Sequence, residues 1–124
     1  MSIVKALKSE FRSVVIIAAA AAAVFANSLW GDLVYDDVRQ IAQNPLVQRS
    51  ELYGKALTSD VWAFKGDGSQ SASNYWRPTF TAWSIVNFKL FGVSPFGWHV
   101  TNLFLHIIAC MLAYFLMLQW AVPR

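Results

Sequence analysis

The sequence predicts a mainly α membrane protein: two transmembrane helices joined by a long extracytoplasmic loop with short amphipathic helices. Three observations predict it. Two apolar runs, residues 14–26 and 98–120, are separated by a long mixed stretch. Charge is scarce, 14% of 124 residues against 56% hydrophobic, with a mean hydropathy of +0.41, where a soluble domain is about one quarter charged. The charge is also unevenly placed. Lys5, Lys8 and Arg12 precede the first run, opposed only by Glu10, and Arg124 follows the second. The stretch between is balanced: Arg39, Arg49, Lys55, Lys65, Arg77 and Lys89 against Asp32, Asp36, Asp37, Glu51, Asp60 and Asp67. Basic residues gather on the cytoplasmic side of membrane helices. The pattern therefore places both termini (1–12 and 121–124) in the cytoplasm and the loop (31–97) outside, periplasmic or lumenal. No basic cluster exceeds what membrane flanks require, which excludes a nucleic-acid partner.

The first run, VVIIAAAAAAVFA, extends to a helical stretch of residues 13–30, near the minimum for a span. Alanine forms helices well but is only weakly hydrophobic, and small side chains permit close helix packing. This helix is expected to pack against protein. A signal peptide cleaved after Ala26 is the rival reading, and retention as a membrane helix is the expectation. The second run covers residues 98–120, roughly 34 Å of helix. Ser94-Pro95 supplies an N-cap and a proline at the first helical position. Trp98 and Trp120 mark the two interfaces, and Pro123-Arg124 closes the chain. The lone Cys110 lies inside this run and has no partner for a disulfide.

In the loop, Asn44-Pro45 signals a turn. Residues 51–64 suit a short amphipathic helix with Leu52, Ala56, Val61 and Trp62 apolar. Residues 66–74, GDGSQSASN, read as a flexible linker. Residues 78–91 read as a second amphipathic helix. Phe80, Trp83, Val86, Leu90 and Phe91 recur at helical spacing while Thr81, Ser84 and Asn87 lie elsewhere. Gly92 fits its C-cap. With its aromatic side toward lipid, such a helix would lie along the membrane surface.

Three groups carry possible chemistry. Asp36-Asp37 could bind a divalent cation or supply a general base. Adjacent side chains diverge on a helix or strand, so the pair serves one site only in an irregular turn, and a solvated loop is the blander alternative. Arg77, in Tyr75-Trp76-Arg77-Pro78, could grip a phosphate or snorkel to headgroups. His99, Asn102 and His106 share one face of the second span. Intramembrane polar residues usually face a protein interior; here they could join helices by hydrogen bonds or, as histidines, hold a metal or a pigment magnesium.

The run Asn27-Ser28-Leu29-Trp30-Gly31-Asp32-Leu33-Val34-Tyr35-Asp36-Asp37 resembles the first outer loop of GT-C glycosyltransferases, and within them the TMTC-like, tetratricopeptide-containing membrane proteins. Asn44-Pro45, Tyr75-Trp76-Arg77-Pro78, Asn87, Gly92-Val93-Ser94-Pro95-Phe96-Gly97-Trp98-His99 and the segment from Asn102 to His106 follow in the same order. The resemblance implies an enzyme that takes a sugar from a polyprenyl-phosphate carrier, with an acid of the first outer loop as base or metal ligand. That position is Asp36, with Asp37 beside it; Arg77 is inferred to contact the carrier phosphate. The family uses roughly ten spans and a tetratricopeptide part, whereas two helices cannot enclose donor and acceptor. The chain thus corresponds to the N-terminal module: a fragment, a piece of a split enzyme or a remnant in another role. The leading expectation is an accessory subunit of a larger membrane complex, not catalytic alone. A truncated or split transferase is the alternative, and a pigment- or metal-binding subunit through His99 or His106 the third.

Overall fold

The computed structural model of the chain describes residues 3–66 and 75–121. All of the linker expected at residues 66–74 except Gly66, and the closing Pro123-Arg124, lie outside them. The described residues are helical, without strands. Two compact units divide the chain, one built from Met1–Gly31 with His99–Arg124 and the other from Asp32–Trp98.

In the first unit, α1 spans Ile3–Phe25, beginning well before the span expected at residues 13–30. The α-helix tightens to 3-10 geometry at Ala26–Trp30. Here the alanine run gives way to Asn27 and Ser28, which compete for backbone hydrogen bonds. Ser28 Oγ donates to Phe25 O at 2.8 Å, and extended Gly31 ends the helix with its N–H on Ser28 O at 3.0 Å. Of the remaining helix α5, Pro95–Ala121, the part from His99 onward belongs to this unit. The segments Glu10–Trp30 and Pro95–Trp120 are both long and apolar enough to cross a membrane. They run antiparallel. Tyr114 donates its hydroxyl to Glu10 Oε2, Phe25 meets the His106 ring edge-on at 4.5 Å, and His99 reaches Gly31.

The second unit has a core of Leu46, Val47, Ala56 and Ile85, flanked by Leu52, Tyr53, Ala63 and Phe64. A π-helical turn at Val38–Ala42 leads into α2, Pro45–Gln48. Asn44 caps α2, accepting from Leu46 N at 2.9 Å, and Pro45 occupies the first turn, where no N–H is missed. Gln48 Nε2 then donates to Ile41 O (2.7 Å) and Ala42 O (3.0 Å), satisfying carbonyls at the end of the π turn.

The single helix expected over residues 51–64 is not one helix. A 3-10 turn at Ser50–Leu52 precedes α3, Tyr53–Thr58, and another 3-10 turn follows at Ala63–Lys65. Two local side chains break it. Thr58 Oγ1 turns back onto Gly54 O at 2.9 Å, and Asp60 takes Trp62 N at 2.7 Å, an alternative to helical pairing that Thr and Asp offer readily.

Helix α4, Pro78–Phe91, packs on α2 and α3. It stops at Gly92, whose φ of 57° suits a residue without Cβ and whose N–H bonds Phe88 O at 2.8 Å. Its faces are reversed relative to a soluble helix. Thr81, Ser84 and Asn87 are buried beside Ile85, while Phe80, Val86 and Leu90 are exposed. Burial of these polar groups is tolerable because the helix satisfies them itself. Ser84 Oγ donates to Phe80 O and Asn87 Nδ2 to Trp83 O, each at 2.9 Å.

Candidate functional site

A cleft of about 310 Å³ in the second unit is lined by Asp36, Gln40, Val61, Trp62, Tyr75, Arg77 and Phe80. It brings Asp36 and Arg77 together from positions 41 residues apart in sequence. Asp37 is not among its lining residues.

Asp36 sits in a tight turn closed by Asp37 N on Val34 O at 3.0 Å. Tyr35 precedes it with φ 50°, the non-glycine positive φ among the described residues. A left-handed tyrosine costs about 1–2 kcal/mol, and its side chain, 93% exposed, recovers none of this by packing. Such strain concentrates where backbone geometry is held for function. Asp36 and Asp37 themselves are helical, so their side chains diverge as neighbours on a helix do, and one enters the cleft lining while the other does not.

Gln40 comes from the π turn, and Val61 and Trp62 from the bend after α3. Arg77 adopts a non-helical backbone (φ −135°, ψ 71°), since the proline after it disfavours the α region. This holds its side chain off the axis of α4, with the guanidinium carbon 4.8 Å from the Tyr75 ring centre. Trp62 carries Lys65 Nζ over its ring at 3.8 Å. The lining thus combines one carboxylate, one amide, one guanidinium and three aromatic rings. Such a set can take a hydroxyl proton, pair an anion and stack on an apolar ring face.

No group of three His, Cys, Asp or Glu side chains placed to hold a metal occurs among the described residues. A hard divalent cation seeks six or more oxygens. Asp36 and the Gln40 amide supply a minority, so most ligands would have to come from a bound phosphate or water.

The intramembrane polar face divides. His99 Nε2 lies 3.1 Å from Gly31 O, so this histidine ties α5 to the end of the first span. His106 meets Phe25 and places Nε2 3.6 Å from Cys110 Sγ. Asn102 is exposed. A metal or pigment bound through Nε2 of either histidine would have to displace these contacts. Sequence reasoning passed over Gln40, Trp62 and Asp60. No spacing rule marks them: a π turn and a bend bring Gln40 and Trp62 to the cleft, and Asp60 bonds the backbone of two of its lining residues.

Two membrane-length helices and the relatives that follow make the chain a GT-C-like integral membrane protein. More narrowly, the chain is TMTC-like. It is 32% identical over 112 residues to a protein O-mannosyl-transferase of Caenorhabditis elegans, covering 89% of this chain and 16% of that protein. It is 31% identical to the protein O-mannosyl-transferase TMTC1 of Homo sapiens over 97 residues, 77% of this chain and 11% of the relative. With TMTC4 of Mus musculus it shares 35% identity over 83 residues, 66% of this chain and 11% of the relative. The chain therefore spans no more than about a sixth of the curated relatives it matches. No family model matches it, and no solved structure does.

Proposed function

We propose that the chain forms part of a GT-C-type transferase that moves mannose from a polyprenyl-phosphate carrier to a hydroxyl acceptor. The observation that carries this reading is the single cleft holding both Asp36 and Arg77, in a chain whose relatives are named O-mannosyl-transferases. Asp36 takes the acceptor proton as the acceptor oxygen bonds the anomeric carbon. The bond from that carbon to the carrier phosphate breaks, and Arg77 pairs the charge left on the departing phosphate. A divalent cation at Asp36 would bind the same phosphate. The basic flanks support an orientation with the termini in the cytoplasm and the cleft outside. The exposed Phe80, Val86 and Leu90 of α4 suit a helix resting at the membrane surface, where a lipid-borne donor arrives. A cleft of about 310 Å³ is at the small end of ligand sites. It fits a sugar-phosphate head, and the acceptor would need further spans.

The test is transfer of labelled mannose from polyprenyl-phosphate mannose to a serine- and threonine-containing peptide, in membranes holding the chain and whatever co-extracts with it. Loss of the base in Asp36→Asn is expected to slow transfer by about a hundredfold or more. Transfer unchanged in that variant sinks the proposal. A second reading is an accessory subunit of a larger membrane complex. It is favoured by how little of either apolar helix the chain itself buries, 6% of one span window and none of the other. Stoichiometric co-migration with a membrane assembly lacking transferase activity, after gentle detergent extraction, would establish that reading instead.

A further inference from the structure

Asp60 lies outside the lining of the cleft, yet its carboxylate grips both walls. Oδ1 accepts from Trp62 N and Oδ2 from Tyr75 N, each at 2.7 Å. These are short bonds to an ionised acceptor, the stronger class of hydrogen bond. Trp62 and Tyr75 both line the cleft, and Arg77 is two residues beyond Tyr75. Two neutral bonds run alongside: Val61 N to Tyr75 O at 3.0 Å and Trp76 Nε1 to Leu57 O at 2.9 Å. Between the joined positions the chain leaves and returns over fifteen residues. The Tyr75-Trp76-Arg77 segment is therefore fixed by what it meets at 57–62, and its position does not follow from chain continuity. Helix α4 holds the Arg77 carbonyl, which accepts from Thr81 N at 3.0 Å, but the non-helical backbone before Pro78 leaves the residue at the helix cap, joined on its other side to the Tyr75-Trp76 segment.

We infer that Asp60 is a positioning residue, whose two carboxylate oxygens clamp the Trp62 and Tyr75 backbones together and so hold Arg77 at the cleft. This deepens the phosphate-binding reading above and rests on it for the ligand. A carboxylate suits the task because two N–H groups converge on it and it offers two acceptor oxygens and no donor. Asparagine has nearly the same shape but presents an NH₂ to one of those N–H groups. Asp60→Asn therefore breaks half of the clamp with little change in volume.

The experiment compares wild type, Asp60→Asn, Arg77→Ala and the double variant as full chains in detergent micelles. Two readouts are taken: backbone hydrogen exchange at Trp62 and Tyr75, and binding of a short-chain polyprenyl phosphate. In Asp60→Asn, exchange at the Tyr75 amide, with or without that at Trp62, is expected to rise about tenfold or more, as loss of a charge-assisted bond implies. Binding should weaken toward the Arg77→Ala level, and the double variant should bind no more weakly than Arg77→Ala, because a residue acting through Arg77 has nothing left to position. Unchanged exchange overturns the inference. So does raised exchange with undiminished binding, or a double variant whose losses simply add. If wild type binds no polyprenyl phosphate, the transferase reading fails, and exchange that also rises across the Tyr75–Arg77 segment still supports the clamp, while exchange confined to Trp62 overturns it.

Discussion

In the first unit, among residues 10–31 and 99–120, Ala21 alone is buried. The unit Asp32–Trp98 buries Ile41, Leu46, Val47, Ala56, Ile85 and Trp98, and with them Asn44, Thr81, Ser84 and Asn87. The helices that looked most ordered in sequence bury almost nothing of their own, and the connecting loop carries the core. The difference follows from solvent. A helix satisfies its backbone internally and can leave apolar side chains in lipid, so it needs few contacts within the chain. An irregular segment must satisfy its polar groups by name, and the loop does so with Asn44, Gln48, Asp60, Ser84 and Asn87, with the buried Trp83 Nε1 an exception among the described residues.

The largest effect expected from this contrast is at Leu46. Its side chain is buried to 6% exposure in the loop core. Leu46→Ala should destabilise that unit by about 2–5 kcal/mol, measured by urea titration of tryptophan fluorescence in micelles. Far-UV circular dichroism should keep the signal of the two long helices through that transition. A single transition that removes all helicity together would show that the two units do not differ in this way.

Next in size is Gly97, at the corner between α4 and α5. A Cβ there would stand 2.6 Å from Phe91 Cβ and 2.2 Å from Phe91 Cγ. The Phe91 ring would have to leave its rotamer and the backbone carrying its Cβ would have to shift, and overpacking of this kind costs about 1–3 kcal/mol. Gly97→Ala should lower the urea midpoint of the loop unit, and adding Phe91→Ala should restore part of the loss. No restoration would place the strain elsewhere than at this contact.

How much of this was legible in sequence also divides by region. Both spans announce themselves by composition, although the start of α1 at Ile3 does not, since charged Lys5, Lys8 and Arg12 interrupt no helix. Helix α4 was legible from Pro78 to the Gly92 cap, because proline and glycine act locally. Its periodicity showed two faces without saying which is inward. Only the back-bonds of Ser84 and Asn87 explain how the polar face can be the buried one. The helix at residues 51–64 was overread, because helical spacing of apolar residues says nothing of Thr58 or Asp60 competing for backbone partners. Within the cleft, Asp36 and Arg77 could be named singly from chemistry, but their meeting depends on the Asp60 bridge and the Tyr35 turn.

The smallest expected effect lies in the apolar pair, at the bond from Tyr114 to Glu10. Removing the hydroxyl in Tyr114→Phe leaves the ring and the surrounding helix unchanged. The Glu10 oxygen it frees is at the end of the span rather than its middle, where water can replace the donor. Hydrogen bonds between membrane helices are weak on average, because unpaired groups find other partners. A double-mutant cycle with Glu10→Gln, read as the midpoint of helix separation in a dodecyl sulfate titration, should give a coupling well below the loss from Leu46→Ala. The urea midpoint of the loop unit should not move. A coupling as large as the loop-core effect would mean that the helices are held by specific side-chain contacts after all, and that lipid supplies less of their stability than their exposure implies.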